Sequence, residues 1–177
     1  MNDLGAPNQT LIFFAGVHGV GKTTACKQFW EPAGFHCVTA SSIIKAAKGD
    51  VNISKRVGDI DANQSLLLEG VAALRSTQSL LLIDGHFVVM NRLGEPEKID
   101  ICVFEQMNPN VIVCLRDDPA AILQRLRDRD ERLPVFDVAA LQDSETAHAK
   151  WVAQQLAVPF YCIRPDDLPE VVKLLTR

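Results

Sequence analysis

Gly16-Val17-His18-Gly19-Val20-Gly21-Lys22-Thr23 follows directly on the apolar run Leu11-Ile12-Phe13-Phe14-Ala15. The octet fits the phosphate-binding pattern G-x-x-x-x-G-K-[ST]. The run before it is short, uniformly apolar and rich in strand formers, so it reads as a fully buried strand. Downstream, Thr23-Thr24-Ala25-Cys26-Lys27-Gln28-Phe29-Trp30 meets no breaker before Pro32 and suits a helix. Strand, glycine loop and helix, in that order, give the pattern a mechanism. The glycines let the backbone turn with positive φ and aim successive N–H groups inward. The helix N-terminus adds partial positive charge beneath a polyphosphate. Lys22 suits the β- and γ-phosphates, and the Thr23 hydroxyl suits Mg²⁺. ATP and Mg²⁺ are therefore the expected cofactors. Gly16, Gly19, Val20, Gly21, Lys22, Thr23 and Thr24 are the expected nucleotide-holding set.

The chain has 177 residues, 47% of them hydrophobic. That length fits one domain, able to bury roughly 70% of its unfolded surface. Eighteen basic against 22 acidic side chains give a net charge of −4. This balance argues against general nucleic-acid or anionic-membrane binding, both of which favour basic surfaces. The cysteines (Cys26, Cys37, Cys102, Cys114 and Cys162) are widely spaced, with no C-x-x-C pair. They read as buried thiols in a reducing compartment, not as a zinc site. The polar stretch from Met1 to Gln9 lacks the blocks of a signal peptide, and no apolar run reaches membrane-span length. The expectation is a cytoplasmic protein acting on a small molecule, with no protein partner or oligomer indicated.

Strand-like runs alternate with helix-length segments, which implies an α/β fold with a parallel sheet and helices on both faces. The expected strands are Leu11–Ala15, Phe35–Thr39, Leu80–Ile83, Val111–Leu115 and Phe160–Ile163. Ser41 or Ser42 offers an N-cap for a helix through Ala47, and Asp61 one for a helix to about Leu74. Gly85 to Glu97, with Gly94 and Pro96, reads as irregular. Helices are expected over Ile101–Met107, from Asp118-Pro119 to near Pro134, over Val138–Leu156, and from Pro169.

Asp84 ends the third strand, where a phosphate-loop enzyme needs a carboxylate for magnesium. An aspartate there is also an ordinary turn former. His86 could contact a phosphate, position an acceptor, or serve the turn structurally. Five of the ten arginines lie between Arg116 and Arg132, and Arg125, Arg129 and Arg132 recur at i, i+4, i+7. Guanidinium groups suit the charge on a transferred phosphoryl group, although interleaved acidic residues also fit a solvated face. Arg56 is a candidate for an acceptor phosphate. Thr39, Ser41 and Ser42 could bond an acceptor or simply cap a helix.

Together these residues resemble the small phosphate-loop nucleoside monophosphate kinases, most closely the archaeal-type adenylate kinases. The resemblance rests on Gly16–Thr24, on Ile83-Asp84-Gly85-His86, on Asn108-Pro109-Asn110-Val111-Ile112-Val113, and on Asp118-Pro119 through Arg129. It implies a three-layer fold whose five parallel strands run in spatial order 2-3-1-4-5. It also implies an acceptor flap over about residues 40–76 and a short lid over about 125–136, within one domain spanning 1–177. The implied reaction is γ-phosphoryl transfer from ATP to a nucleoside monophosphate. Lys22, Asp84, Arg125 and Arg129 would be catalytic, Thr23 and Asp84 would hold the metal, and Arg56, Ser41 and His86 would bind the acceptor. Two other readings stand beside it: a kinase of another small acceptor, a nucleoside or a metabolite alcohol, with Asp84 or Asp59 as its general base, and a nucleotide-operated ATPase or switch acting on a protein partner.

Overall fold

A computed structural model describes residues 9–50, 60–91, 93–129 and 137–176. Residues 51–59, with Arg56 and Asp59 of the expected flap, and residues 130–136, with Arg132 of the expected lid, lie outside them. Strands β1 (Thr10–Ala15), β2 (His36–Thr39), β3 (Leu80–Asp84), β6 (Val111–Leu115) and β7 (Phe160–Ile163) form one sheet in the order β2-β3-β1-β6-β7. Every pairing in it is parallel. Counting only this sheet's strands, the order is the expected 2-3-1-4-5.

β1 is central, its edges paired with β3 and β6 and its two faces packed into separate apolar cores. This explains the unbroken apolar run, because a strand buried on both sides has no polar alternation. Ile12 and Phe14 point to one core with Leu82, Val113, Trp30 and Ile122. Leu11, Phe13 and Ala15 point to the other with Ile83, Ile112, Phe104 and Val152. Helix α1 (Lys22–Ala25), α5 (Pro119–Arg129) and α7 (Leu168–Leu175) supply the first layer. The second comes from α2 (Ala40–Asp50), α3 (Ile60–Arg75), α4 (Ile101–Met107) and most of α6 (Val138–Leu156).

Four local readings are corrected. The helix after the glycine loop is regular only over Lys22–Ala25 and widens into a π turn over Cys26–Trp30, closed by the Glu31 N–H on the Cys26 carbonyl at 2.9 Å. Trp30 is fully buried at its end, against Phe14 and Phe35. Helix α2 begins earlier than expected, because Thr39 is its cap: Thr39 Oγ1 accepts the Ser42 N–H at 3.0 Å. Helix α3 begins at Ile60, which puts Asp61 inside the first turn.

The segment after Asp84 is not irregular but carries a hairpin, β4 (Val88–Met90) with β5 (Pro96–Lys98). Asn91 Oδ1 accepts the Leu93 and Glu95 N–H groups at 2.9 Å and closes its turn. Pro96 is tolerated because a two-stranded ribbon leaves each strand an edge. The thiols also divide. Cys26 and Cys114 are buried and Cys37 is half-buried, but Cys102 on α4 and Cys162 on the edge strand β7 are exposed.

Candidate functional site

The carboxyl ends of β1 and β3 lie side by side, with Phe14 in register with Asp84. A parallel sheet of this kind collects its loops at that edge. Gly16 leaves β1 with φ +144°, and a Cβ there would stand 2.6 Å from the Leu115 carbonyl oxygen. Only glycine fits so close to the neighbouring strand. At Gly19, φ is +80° and a Cβ would meet the Leu126 side chain at 2.8 Å, so α5 packs directly on the loop.

Lys22 turns back under the loop. Its ammonium donates to the Gly16 carbonyl and lies 3.5 Å from Asp84 Oδ1. Both side chains are buried. Burial pushes the Asp84 carboxyl above its ordinary range, and the Lys22 charge and hydrogen bond oppose that shift. His86 is held well below the usual imidazole range by burial, then by the Lys22 and His18 charges, so it is neutral near pH 7. Its ring lies 4.5 Å from that of His18.

A cavity of about 350 Å³ lies over the loop. Lys22 and Thr23 line it from the loop, Asp84 and His86 from the end of β3, Ser41 from α2, and Arg129 from the last turn of α5. With Gly19, Gly21 and Thr39, which also line it, nine of the residues singled out from sequence meet in one space. A second cavity of about 650 Å³ shares Ala40, Ser41 and His86 with the first. Its remaining walls are mostly apolar, including Phe13, Ile44, Leu67, Val103 and Phe104, with amides from Asn63, Gln64 and Asn91.

Arg125 is placed elsewhere. It stands behind the loop, donating to the carbonyls of Gly19 and Val20 at 3.3 and 3.4 Å, and pairs with Asp117 Oδ2 at 2.5 Å. Burial alone would raise the Asp117 carboxyl. The Arg125 and Asp118 hydrogen bonds, with the Arg125 and Arg164 charges, outweigh it and hold the group below the carboxylate range. Val20 is buried in the core, so only its backbone faces the loop, and Thr24 is exposed on α1 outside the cavity lining.

Sequence reasoning passed over Glu145. Its carboxylate, 1% exposed, accepts the Phe87 N–H at 2.9 Å, the Val88 N–H at 2.7 Å and the Gly16 N–H at 3.3 Å. Gln142 and His148, also buried on α6, bond the Asp117 backbone and the Ile99 carbonyl. The signal was present: Leu141, Glu145, Ala149 and Val152 share one helical face, and an acid within an apolar face needs a partner.

The residues that can hold Mg²⁺ are Thr23 and Asp84, a hydroxyl and a carboxylate facing one cavity. Hard oxygen donors beside a buried ammonium fit a magnesium–polyphosphate pair. Among the described residues, no cluster of three or more His, Cys, Asp or Glu side chains could hold a metal by itself.

A family model described as an AAA domain matches residues 15–137, well over half of the chain. The chain belongs to that family. This AAA-domain protein is 27% identical over 139 residues to an adenylate kinase of Methanopyrus kandleri strain AV19, covering 73% of each chain. Its fold matches shikimate kinase from Acinetobacter baumannii in complex with shikimate, with TM-score 0.57, 16% identity, and 96% and 92% of the two chains covered. It also matches shikimate kinase from Bacteroides thetaiotaomicron, with TM-score 0.54, 17% identity, and 94% and 96% covered. A tunicamycin resistance protein of Deinococcus radiodurans matches with TM-score 0.54, 18% identity, and 94% and 93% covered. The kinship with phosphate-loop kinases expected from the sequence is borne out. Among the described residues, no helix is long and apolar enough to cross a membrane.

Proposed function

We propose that this protein transfers the γ-phosphoryl group of ATP to a nucleoside monophosphate, with Mg²⁺, in the cytoplasm. One observation carries the reading: the loop cavity and the larger cavity share the walls formed by Ala40, Ser41 and His86. A donor phosphate over the loop and an acceptor in the larger space would therefore meet at that boundary. Transfer of this kind needs positioning, exclusion of water and charge neutralisation rather than covalent help from the protein.

In this reading Lys22 neutralises the phosphates and Arg129 the charge on the moving group. Thr23 and Asp84 hold Mg²⁺, which supplies further charge neutralisation when bound. Ser41 and neutral His86 position the acceptor, and Arg125 acts on the loop from behind. Residues 40–76 form the acceptor flap, with Arg56 as the ligand of an acceptor phosphate, and residues 125–136 form the lid.

A second reading has a specific observation behind it. Among the described residues lining the larger cavity there is no arginine or lysine, while apolar side chains dominate. A neutral alcohol would suit such walls, with Asp84 as the base that takes its proton. Incubation with Mg–ATP and either nucleoside monophosphates or neutral alcohols, with products separated, tests both. A nucleoside diphosphate product supports the first reading, a phosphorylated alcohol the second. ADP and inorganic phosphate at one rate, whatever is added, point to an ATPase or switch.

A further inference from the structure

Glu145 reaches across the molecule. It lies 129 residues from Gly16 and 58 from Phe87, yet its two carboxylate oxygens hold the backbone of both. Every hydrogen bond it makes is one it accepts from a backbone N–H, at Gly16, Phe87 and Val88. Gly16 opens the phosphate loop, and its own carbonyl takes the Lys22 ammonium. Phe87 and Val88 follow His86, which lines both cavities, and lead into β4, whose Val89 and Met90 line the larger one. One buried carboxylate thus fixes the start of the loop and the start of the second cavity's wall.

We propose that Glu145 is a positioning residue that couples the occupancy of the phosphate loop to the backbone at Phe87 and Val88. The bond to Gly16, at 3.3 Å, is the longest of the set, so it has room to tighten when the loop closes on an anion. A carboxylate drawn toward Gly16 moves against the 2.7 Å and 2.9 Å bonds it holds at Val88 and Phe87. Because those amides have Glu145 as their acceptor, the pull passes to the wall that presents His86. A glutamine in its place keeps the volume but turns an amide N–H₂ toward backbone donors, so at least one of them loses its acceptor. The coupling requires nucleotide at the loop and is independent of which acceptor fills the larger cavity.

Hydrogen–deuterium exchange of the full chain, followed over residues 85–90 with and without saturating Mg–ADP, tests this, with affinity measured in parallel by calorimetry. In the parent protein, Mg–ADP should slow exchange at Phe87 and Val88 by about tenfold, the scale of a modest local stabilisation. In Glu145→Gln the slowing should nearly vanish while Mg–ADP still binds. Should that variant not fold, Glu145→Asp, with its carboxylate one methylene further back, should show a reduced slowing. Undiminished slowing in the folded variant overturns the proposal, and so does a parent protein that binds Mg–ADP without any change at 85–90. Calorimetry that finds no Mg–ADP binding to the parent overturns the nucleotide reading, and the coupling with it.

Discussion

Lys22 Nζ stands 3.5 Å from Asp84 Oδ1, and both side chains are buried at the edge where β1 and β3 end. Neither charge is well solvated, so each depends on the other. Lys22→Met, which keeps much of the volume, should lower kcat by roughly 10²–10³-fold, as removal of a preorganised charge-stabilising group does. Adding Asp84→Asn to that variant should cost much less than Asp84→Asn in the parent, because the two act as a unit. Steady-state kinetics of the two single variants and the double variant measure the coupling; simple additivity would contradict it.

Arg125 and Arg129 lie one turn apart on α5 and have different surroundings. Arg129 lines the loop cavity, whereas Arg125 holds the Gly19 and Val20 carbonyls and Asp117. Arg129→Ala should reduce kcat about 10²-fold with the melting temperature unchanged. Arg125→Ala should lower stability by about 1–2 kcal/mol, since partly buried carbonyls lose their donor and Asp117 the nearer of its two arginines. Thermal melts beside kinetics separate the two, and the reverse pattern would sink the assignment.

Gly70 on α3 faces Ile43 on α2 so closely that a Cβ there would stand 2.1 Å from Ile43 Cγ2. Gly70→Ala should therefore destabilise by about 1–3 kcal/mol through overpacking, despite its better helix propensity. Ile43→Ala should relieve that clash, so the double variant should unfold at higher denaturant than additivity predicts. Chemical denaturation of the four proteins checks it.

His86 gives stability a pH dependence. Burial and the Lys22 and His18 charges hold its folded-state value well below the ordinary imidazole range. Between that value and about 6.5, the unfolded chain binds a proton that the folded one does not, so stability falls as pH falls through this window. His86→Asn removes this contribution. The parent should lose more stability than the variant on going from pH 7.5 to pH 5, by up to about 1.4 kcal/mol per pH unit within the window. Equal losses in denaturation at the two pH values would show that the ring is protonated in the fold.

Much of the frame could be read directly from the chain. β1, β3 and β6 announce themselves because burial on both faces leaves uninterrupted apolar runs, and α4 and α6 carry caps at Asp100 and Asp137. The hairpin was illegible because three-residue strands carry too little alternation, and its Pro96 reads as a breaker. Arginine spacing singles out α5, but spacing alone does not tell which guanidinium lines the cavity and which supports the loop behind it. Glu145 was legible as an acid inside an apolar helical face, but its partners are backbone N–H groups brought in by topology, and these have no signature in the sequence.

In the proposed reaction a phosphoryl group passes from the loop cavity to an acceptor across the wall formed by Ser41 and His86. Its most direct test follows γ-labelled ATP with Mg²⁺ and each nucleoside monophosphate in turn, tracking where the label ends. Label should appear in the diphosphate of one monophosphate, and be lost in Lys22→Met. Label found only in inorganic phosphate, at a rate indifferent to every monophosphate, would contradict it.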